Sequence, residues 1–173
     1  MSDMKGILNT IKPSGMTSFD VVAYMRRLLN IKKIGHAGTL DPGAAGILLL
    51  CIGRATKAIE YMSGMDKSYR AELTLGISTD TQDSYGEVID TRKVDVSAEQ
   101  VEEVIKSFEG RYEQVPPMYS AVKMGGKKLY ELARKGITVR REPREVQIYS
   151  IDIIHMEDTC KVLFDVSCSK GTY

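Results

Sequence analysis

The run Gly35-His36-Ala37-Gly38-Thr39-Leu40-Asp41-Pro42 sets one carboxylate in a turn flanked by glycines and closed by a proline. Gly35 and Gly38 permit backbone conformations and close approaches that a side chain blocks. Pro42 fixes its own φ and keeps Asp41 out of the helical region. An apolar run, Ile47 to Ile52, follows directly and can hold such a turn against a core. A carboxylate on a rigid support is available for nucleophilic or general-base work on a polar substrate. The competing reading is an ordinary Asp-Pro turn, whose aspartate bonds the backbone amides beside it.

The elements that must position this turn are legible around it. Ile7 to Ile11 reads as a first strand. Thr17 or Ser18 can cap a helix running to about Asn30, with Val21, Val22, Met25, Leu28 and Leu29 as its apolar face. Ala45 to Ile52 reads as a short element packed on both sides, and Arg54 to Met65 as a helix. Tyr69 to Leu75 alternates, with Tyr69, Ala71, Leu73 and Leu75 on one face, as in a half-buried strand. Gly86 sits in a turn before another strand at Val88. Ser97-Ala98-Glu99-Gln100 is a capping box; it opens a helix with Val101, Val104, Ile105 and Phe108 on one face, ended by Gly110. A short helix is expected near Lys128 to Arg134. Gln147 to Ile154 and Lys161 to Ser167 read as two strands joined by a turn near Asp158. The mixture predicts an α+β domain around a mostly antiparallel sheet.

At 173 residues, 43% hydrophobic and 27% charged, the chain suits one soluble globular domain. No apolar run approaches the ~20 residues that cross a bilayer, and Met1 to Lys5 lacks the apolar stretch of a signal peptide. Cys51, Cys160 and Cys168 are odd in number and form no CxxC pair, which predicts reduced thiols in a cytoplasmic protein. His36 and His155 are the only histidines and lie far apart, so no metal site is expected. A net charge of +1 conceals strong segregation. Lys123 to Arg144 holds eight bases and two acids, whereas Asp80 to Glu109 holds nine acids and three bases. The basic segment interleaves cations with tyrosines and turn residues, a composition suited to nucleic acid.

The Asp41 run closely resembles the catalytic motif of the TruB-type tRNA pseudouridine synthases, and the agreement continues into Ala45 to Leu48 and Gly53 to Lys57. Further signatures of that family stand in its order. They are Gly6 to Asn9 with Lys12 to Ser18, Lys67 to Ala71, Asp80 to Val88, Pro116 to Lys123, and Ser169 to Tyr173. The resemblance spans essentially the whole chain. It implies the pseudouridine synthase fold, a mostly antiparallel mixed sheet flanked by helices, with an RNA-gripping thumb inserted at about residues 115–141. It also implies isomerisation of a uridine in the T-loop of tRNA after the nucleotide is flipped out of its stack. The partner is then the T-arm stem-loop, the chain monomeric, and no cofactor or metal is required.

The resemblance also assigns roles. Asp41 matches the family's essential aspartate. His36 is implied beside the flipped nucleotide, although a turn histidine bonded to backbone is its ordinary alternative. Tyr69 matches the tyrosine that stacks on the uracil, although periodicity alone makes it a core-facing aromatic. Tyr173 matches a tyrosine beside the base, and Lys12 a lysine supporting the active-site loop. Lys123, Lys127, Lys128, Arg134 and Lys135 fall in the thumb and are expected to meet phosphates, with Tyr119 and Tyr130 against the sugar edge or bracing the loop. In the family an Ile-Arg pair and a C-terminal RNA-binding domain follow the position of Tyr173. The expectation is therefore a catalytic domain truncated at its C-terminus, with a non-catalytic T-arm-binding or folding fragment as the alternative. A guide-RNA-dependent relative is disfavoured by the long Pro116 to Gly136 insertion, since stand-alone enzymes hold RNA with that thumb.

Overall fold

A computed structural model of the chain describes residues 4–173. Met1, Ser2 and Asp3, with which the stretch lacking a signal peptide begins, lie outside the described residues. The chain forms two compact units, one ending at Met65 and one running from Asp66 to Tyr173. Among the described residues no helix is long and apolar enough to cross a membrane.

The first unit contains β1 (Gly6–Lys12), α1 (Ser18–Leu29), β2 (Ile34–Ala37) and β3 (Gly46–Ile52). Its sheet runs β1-β3-β2, with both pairs antiparallel. Leu48, Leu50 and Ile52 project from one face of β3 and pack with Ile34 against Val21 and Val22 of α1. The helix starts where a local hydrogen bond makes it start. Thr17 accepts from the Asp20 amide while the Asp20 carboxylate accepts from the Thr17 amide. Asn30 closes it in the left-handed conformation. Leu28, expected on the buried stripe, is instead 62% exposed; the helix meets the sheet through Val21, Val22, Met25 and Leu29. Ile47, at 68% exposure, shows that β3 is not covered on both sides along its length; α1 packs on one face only.

The expected helix over Arg54 to Met65 is a 3₁₀ segment, Gly53–Ala58, followed by one α-turn, α2 (Ile59–Met62). Neither start has a side-chain cap. Thr56 and Ser63 turn their hydroxyls back onto the carbonyls of Gly53 and Ile59, competing for the groups a longer helix would use.

The second unit is built on a four-stranded antiparallel sheet ordered β4-β11-β10-β7, from β4 (Lys67–Thr74), β7 (Gly110–Gln114), β10 (Arg144–Glu157) and β11 (Lys161–Cys168). A hairpin of β5 (Ile77–Thr79) and β6 (Val88–Thr91) precedes α3 (Ala98–Lys106). Val101 and Ile105 of α3 pack with Ile148, Ile151, Val162 and Cys168. Val104 and Phe108, expected on the same face, are exposed; the Phe108 ring meets Tyr112 edge-on at 6.2 Å. Gly110 does not end the helix, which closes at Ser107. It opens β7 with a φ of +116°, which a side chain would oppose. The β10–β11 turn falls at Asp158 and Thr159, both left-handed, as a tight hairpin between twisted strands requires. Cys51 and Cys168 are buried free thiols, pushed up in pKa by burial.

The end of α3 is tied to β10 by charge. Lys106 donates to the Ile151 carbonyl, and the Ile151 amide donates to the Glu109 carboxylate at 2.7 Å. That amide holds the Glu109 pKa below its ordinary value; desolvation opposes the shift and Lys106 adds to it. The stabilisation is therefore complete above the ordinary glutamate pKa and is lost as pH falls through the lowered one. Urea unfolding from about pH 6 down to about pH 3 should show wild type losing more stability than Glu109→Gln. Equal losses would contradict this tie.

Candidate active site

Gly38 to Ala45 links β2 to β3 and carries Asp41. The loop is held from the other side of the sheet by the segment between β1 and α1. Lys12, the last residue of β1, is 0% exposed. Its ammonium donates to the carbonyls of Met16 at 2.7 Å, Pro13 at 3.0 Å and Pro42 at 3.2 Å. Burying a cation is costly unless its donors are filled, and three carbonyls match the three N–H groups of an ammonium. The Gly15 amide donates to the same Pro42 carbonyl at 2.8 Å, and Ser14 Oγ to Gly43 at 2.9 Å. Ser18 Oγ donates to the Leu40 carbonyl and accepts from the Leu40 amide at 3.0 Å. Residues 40, 42 and 43 are thus pinned, while the Asp41 backbone carbonyl accepts from Ala44.

Asp41 itself is exposed, and its carboxylate has no hydrogen-bond or ion-pair partner among the described residues. The ordinary Asp-Pro turn would spend that carboxylate on neighbouring amides; here the turn is built without it. Gly38 takes a φ of +84°. A Cβ at Gly35 would lie 2.7 Å from Ile59 Cδ1, so the first glycine allows a close approach and the second a left-handed corner. His36 lies opposite Leu50 on the sheet, and its Nδ1 meets the Gly38 carbonyl. A carbonyl only accepts, so Nδ1 carries a proton there. The ring is bonded to turn backbone, as its ordinary alternative requires, and this bond also fixes the direction of Nε2.

Lys12, His36 and Asp41 thus share the first unit; the other residues singled out by sequence belong to the second. Tyr69 lies on β4 opposite Val166, and the register puts it on the side of the sheet that carries Val162 and Cys168. It is nonetheless 42% exposed, so it is not a buried core aromatic. Tyr173 is held by Gln114, whose side-chain amide accepts from the Tyr173 N–H at 3.0 Å and donates to its carbonyl at 2.8 Å. Gln147 and Ser169 exchange a second pair of bonds that anchors the same segment. Gln114 ends β7, the sheet edge opposite β4.

The basic segment is organised by short elements: β8 (Lys123–Met124), β9 (Lys127–Lys128) and α4 (Leu129–Ala133). Gly125 and Gly126, both at positive φ, make the two-residue hairpin. Leu129 is buried, and its amide donates to Val122. Lys128 Nζ and Arg134 Cζ each lie 5.3 Å from the Tyr130 ring centroid, so this tyrosine braces two cations. Lys123, Lys127, Arg134 and Lys135 are exposed. Arg141 closes the segment by donating to the Pro116 carbonyl.

Sequence reasoning missed Ser14, Ser18 and Gln114. Ser18 carried a partial signal, since Thr17 and Ser18 compete for the helix cap and the one not used is free to bond elsewhere. Gln114 carried none: its partner is 59 residues away.

The fold is shared with chains of solved complexes. A chain in a crystal structure of a Cbf5-Nop10-Gar1 complex superposes with a TM-score of 0.73 at 32% identity, covering 97% of this chain and 40% of that one. A chain in an H/ACA RNP bound to a substrate RNA containing 2′-deoxyuridine gives 0.67 at 28% identity, covering 97% and 39%. The chain belongs to the TruB family of pseudouridylate synthases, whose N-terminal domain it matches over residues 26–173. It is 56% identical to tRNA pseudouridine synthase B of Alkaliphilus oremlandii over 98% of this chain and 56% of that protein. It is 51% identical to the Bacillus subtilis protein of that name, over 98% and 57%. The chain spans about half the length of these curated relatives.

Lys12→Met keeps the volume of the stem but removes the ammonium bonds to three carbonyls, of which only that of Pro42 keeps a second donor among the described residues, the Gly15 amide. It should lower urea stability by about 1–3 kcal/mol, with the loss in the first unit. A variant as stable as wild type would show that the ammonium does not brace the loop.

Proposed function

We propose that this chain isomerises a uridine in the T-loop of tRNA to pseudouridine, with Asp41 acting on the flipped nucleotide. The observation that carries this reading is the unspent carboxylate of Asp41 on a turn whose flanking residues are pinned by Lys12, Ser14 and Ser18. The family, and the match of 98% of this chain to about half of proteins named tRNA pseudouridine synthase B, support it. The higher identity to these bacterial proteins than to the Cbf5-type chains favours a stand-alone enzyme over a guide-RNA-dependent one.

The reaction breaks the N1–C1′ bond, turns the uracil and forms C5–C1′. C5 releases its hydrogen as a proton and N1 takes one up, so no electrons and no external group enter. Asp41 supplies the carboxylate that acts on the nucleotide, and a covalent intermediate would divide one difficult step into two. Lys12 holds the catalytic loop, His36 and Tyr173 contact the flipped nucleotide, and Tyr69 stacks on the uracil. Lys123, Lys127, Lys128, Arg134 and Lys135 grip the phosphates of the T-arm. The protein works in the cytoplasm as a monomer, without metal or cofactor.

Single-turnover conversion of a T-arm stem-loop, read as tritium release from C5, tests the chemistry. Wild type should release tritium, and Asp41→Asn should lose at least about 10³-fold in rate while still binding RNA. Loss of binding or folding in that variant would make Asp41 a structural turn residue. For the thumb, Lys127→Gln/Lys128→Gln should flatten the salt dependence of binding by about 1–2 in log–log slope. An unchanged slope would remove these lysines from the interface.

A further inference from the structure

The first unit carries a second concentration of positive charge that none of the assigned roles uses. Val21 to Leu40 contains Arg26, Arg27, Lys32 and Lys33 and no acidic residue. Three of them, Arg26, Arg27 and Lys32, line with Asn30 and Ile31 an open depression of about 450 Å³ where α1 ends and β2 begins; Lys33 is the next residue in the chain. None of the four forms an ion pair with the described residues.

Arg26 is fixed in place. Its Nη2 donates to the Ile34 carbonyl at 2.7 Å, its guanidinium lies 5.6 Å from the Phe19 ring centroid, and its Nε is shielded from water without a partner. Arg27, Lys32 and Lys33 are exposed. The ordinary explanation is compensation of the helix dipole, since cations favour a helix C-terminus. That dipole amounts to about half a negative charge, which two arginines in the last turn already exceed; Lys32 and Lys33 add to a surplus. The Ile34 carbonyl that holds Arg26 also starts β2, which rises about 10 Å to Ala37 and delivers the chain into the Asp41 loop.

We propose that this α1–β2 depression is a phosphate-binding surface, separate from the thumb, which takes the sugar–phosphate backbone of the folded RNA whose reacting nucleotide reaches Asp41. The proposal rests on the reading that this chain holds RNA. It assigns Arg27, Lys32 and Lys33 to phosphates and Arg26 to the fixed floor. The contact is to backbone and not to base edges, so it is indifferent to sequence.

The test uses the full chain, a T-arm stem-loop and an unrelated hairpin of equal length, with binding measured across a salt series. Arg27→Gln/Lys32→Gln/Lys33→Gln should reduce the log–log salt slope by about 2–3 for both hairpins and weaken binding at low salt at least about tenfold. Arg92→Gln/Lys93→Gln, on exposed bases elsewhere, should leave the slope unchanged. In wild type, either RNA should protect Lys32 and Lys33 from acetylation, which reads the site without any substitution. The proposal is overturned if wild type binds neither hairpin, if the triple variant keeps the wild-type slope, or if both lysines stay fully reactive under saturating RNA. Tritium release from the stem-loop separates the two readings. Release with an unchanged slope leaves the isomerase reading standing without this surface; loss of slope without release leaves the surface standing without the isomerase.

Discussion

A buried ammonium with no carboxylate beside it is an expensive group, and Lys12 is that group here. Its solvation shell has been replaced by three backbone carbonyls from two separate stretches of chain. The constraint runs both ways. The lysine is tolerable in the interior only while the carbonyls converge on it, and Pro42 is drawn toward β1 because the lysine is there. Pro42 contributes no N–H of its own, so its carbonyl is the handle by which the loop is gripped, from Lys12 and from the Gly15 amide together. Ser14 and Ser18 then fix Gly43 and Leu40. Apart from the Lys12 bonds to Pro13 and Met16, every bond in the set ends on Leu40, Pro42 or Gly43, around Asp41, and none ends on the Asp41 carboxylate. The backbone is thus fixed and the functional group left free, the arrangement preorganised catalysis requires.

Much of the fold was legible because its causes are local. A capping hydroxyl at Thr17 or Ser18 and the Ser97 to Gln100 capping box announce two helix starts, and Asp158 marks the long hairpin. The alternation from Tyr69 to Leu75 locates β4. What was illegible depends on distant or competing contacts. Whether Leu28, Val104 or Phe108 is covered depends on how much sheet lies under each helix, which periodicity does not specify. The Arg54 to Met65 segment has helical composition, but its hydroxyls compete for the backbone. Nothing in the composition marks the junction after Met65.

The candidate site divides along the same line. Asp41, its glycines and Lys12 were visible as motif residues, and the basic segment as a charge run. That the Asp41 carboxylate is unspent, and that Tyr173 is held through Gln114, could not be read from spacing, since each is settled by partners chosen across the fold. Tyr69 illustrates the limit most clearly: its register is that of a core residue, yet its position on an edge strand leaves it accessible.

The central claim is that the Asp41 loop is already fixed in the free protein, before RNA arrives. Amide hydrogen exchange on the free chain reads this directly. The amides of Gly15, Leu40 and Ala44, which donate to Pro42, Ser18 and Asp41, should be protected to a degree comparable with the β3 strand they adjoin. Exchange of these three at the rate of an open loop, with β3 protected, would contradict the account.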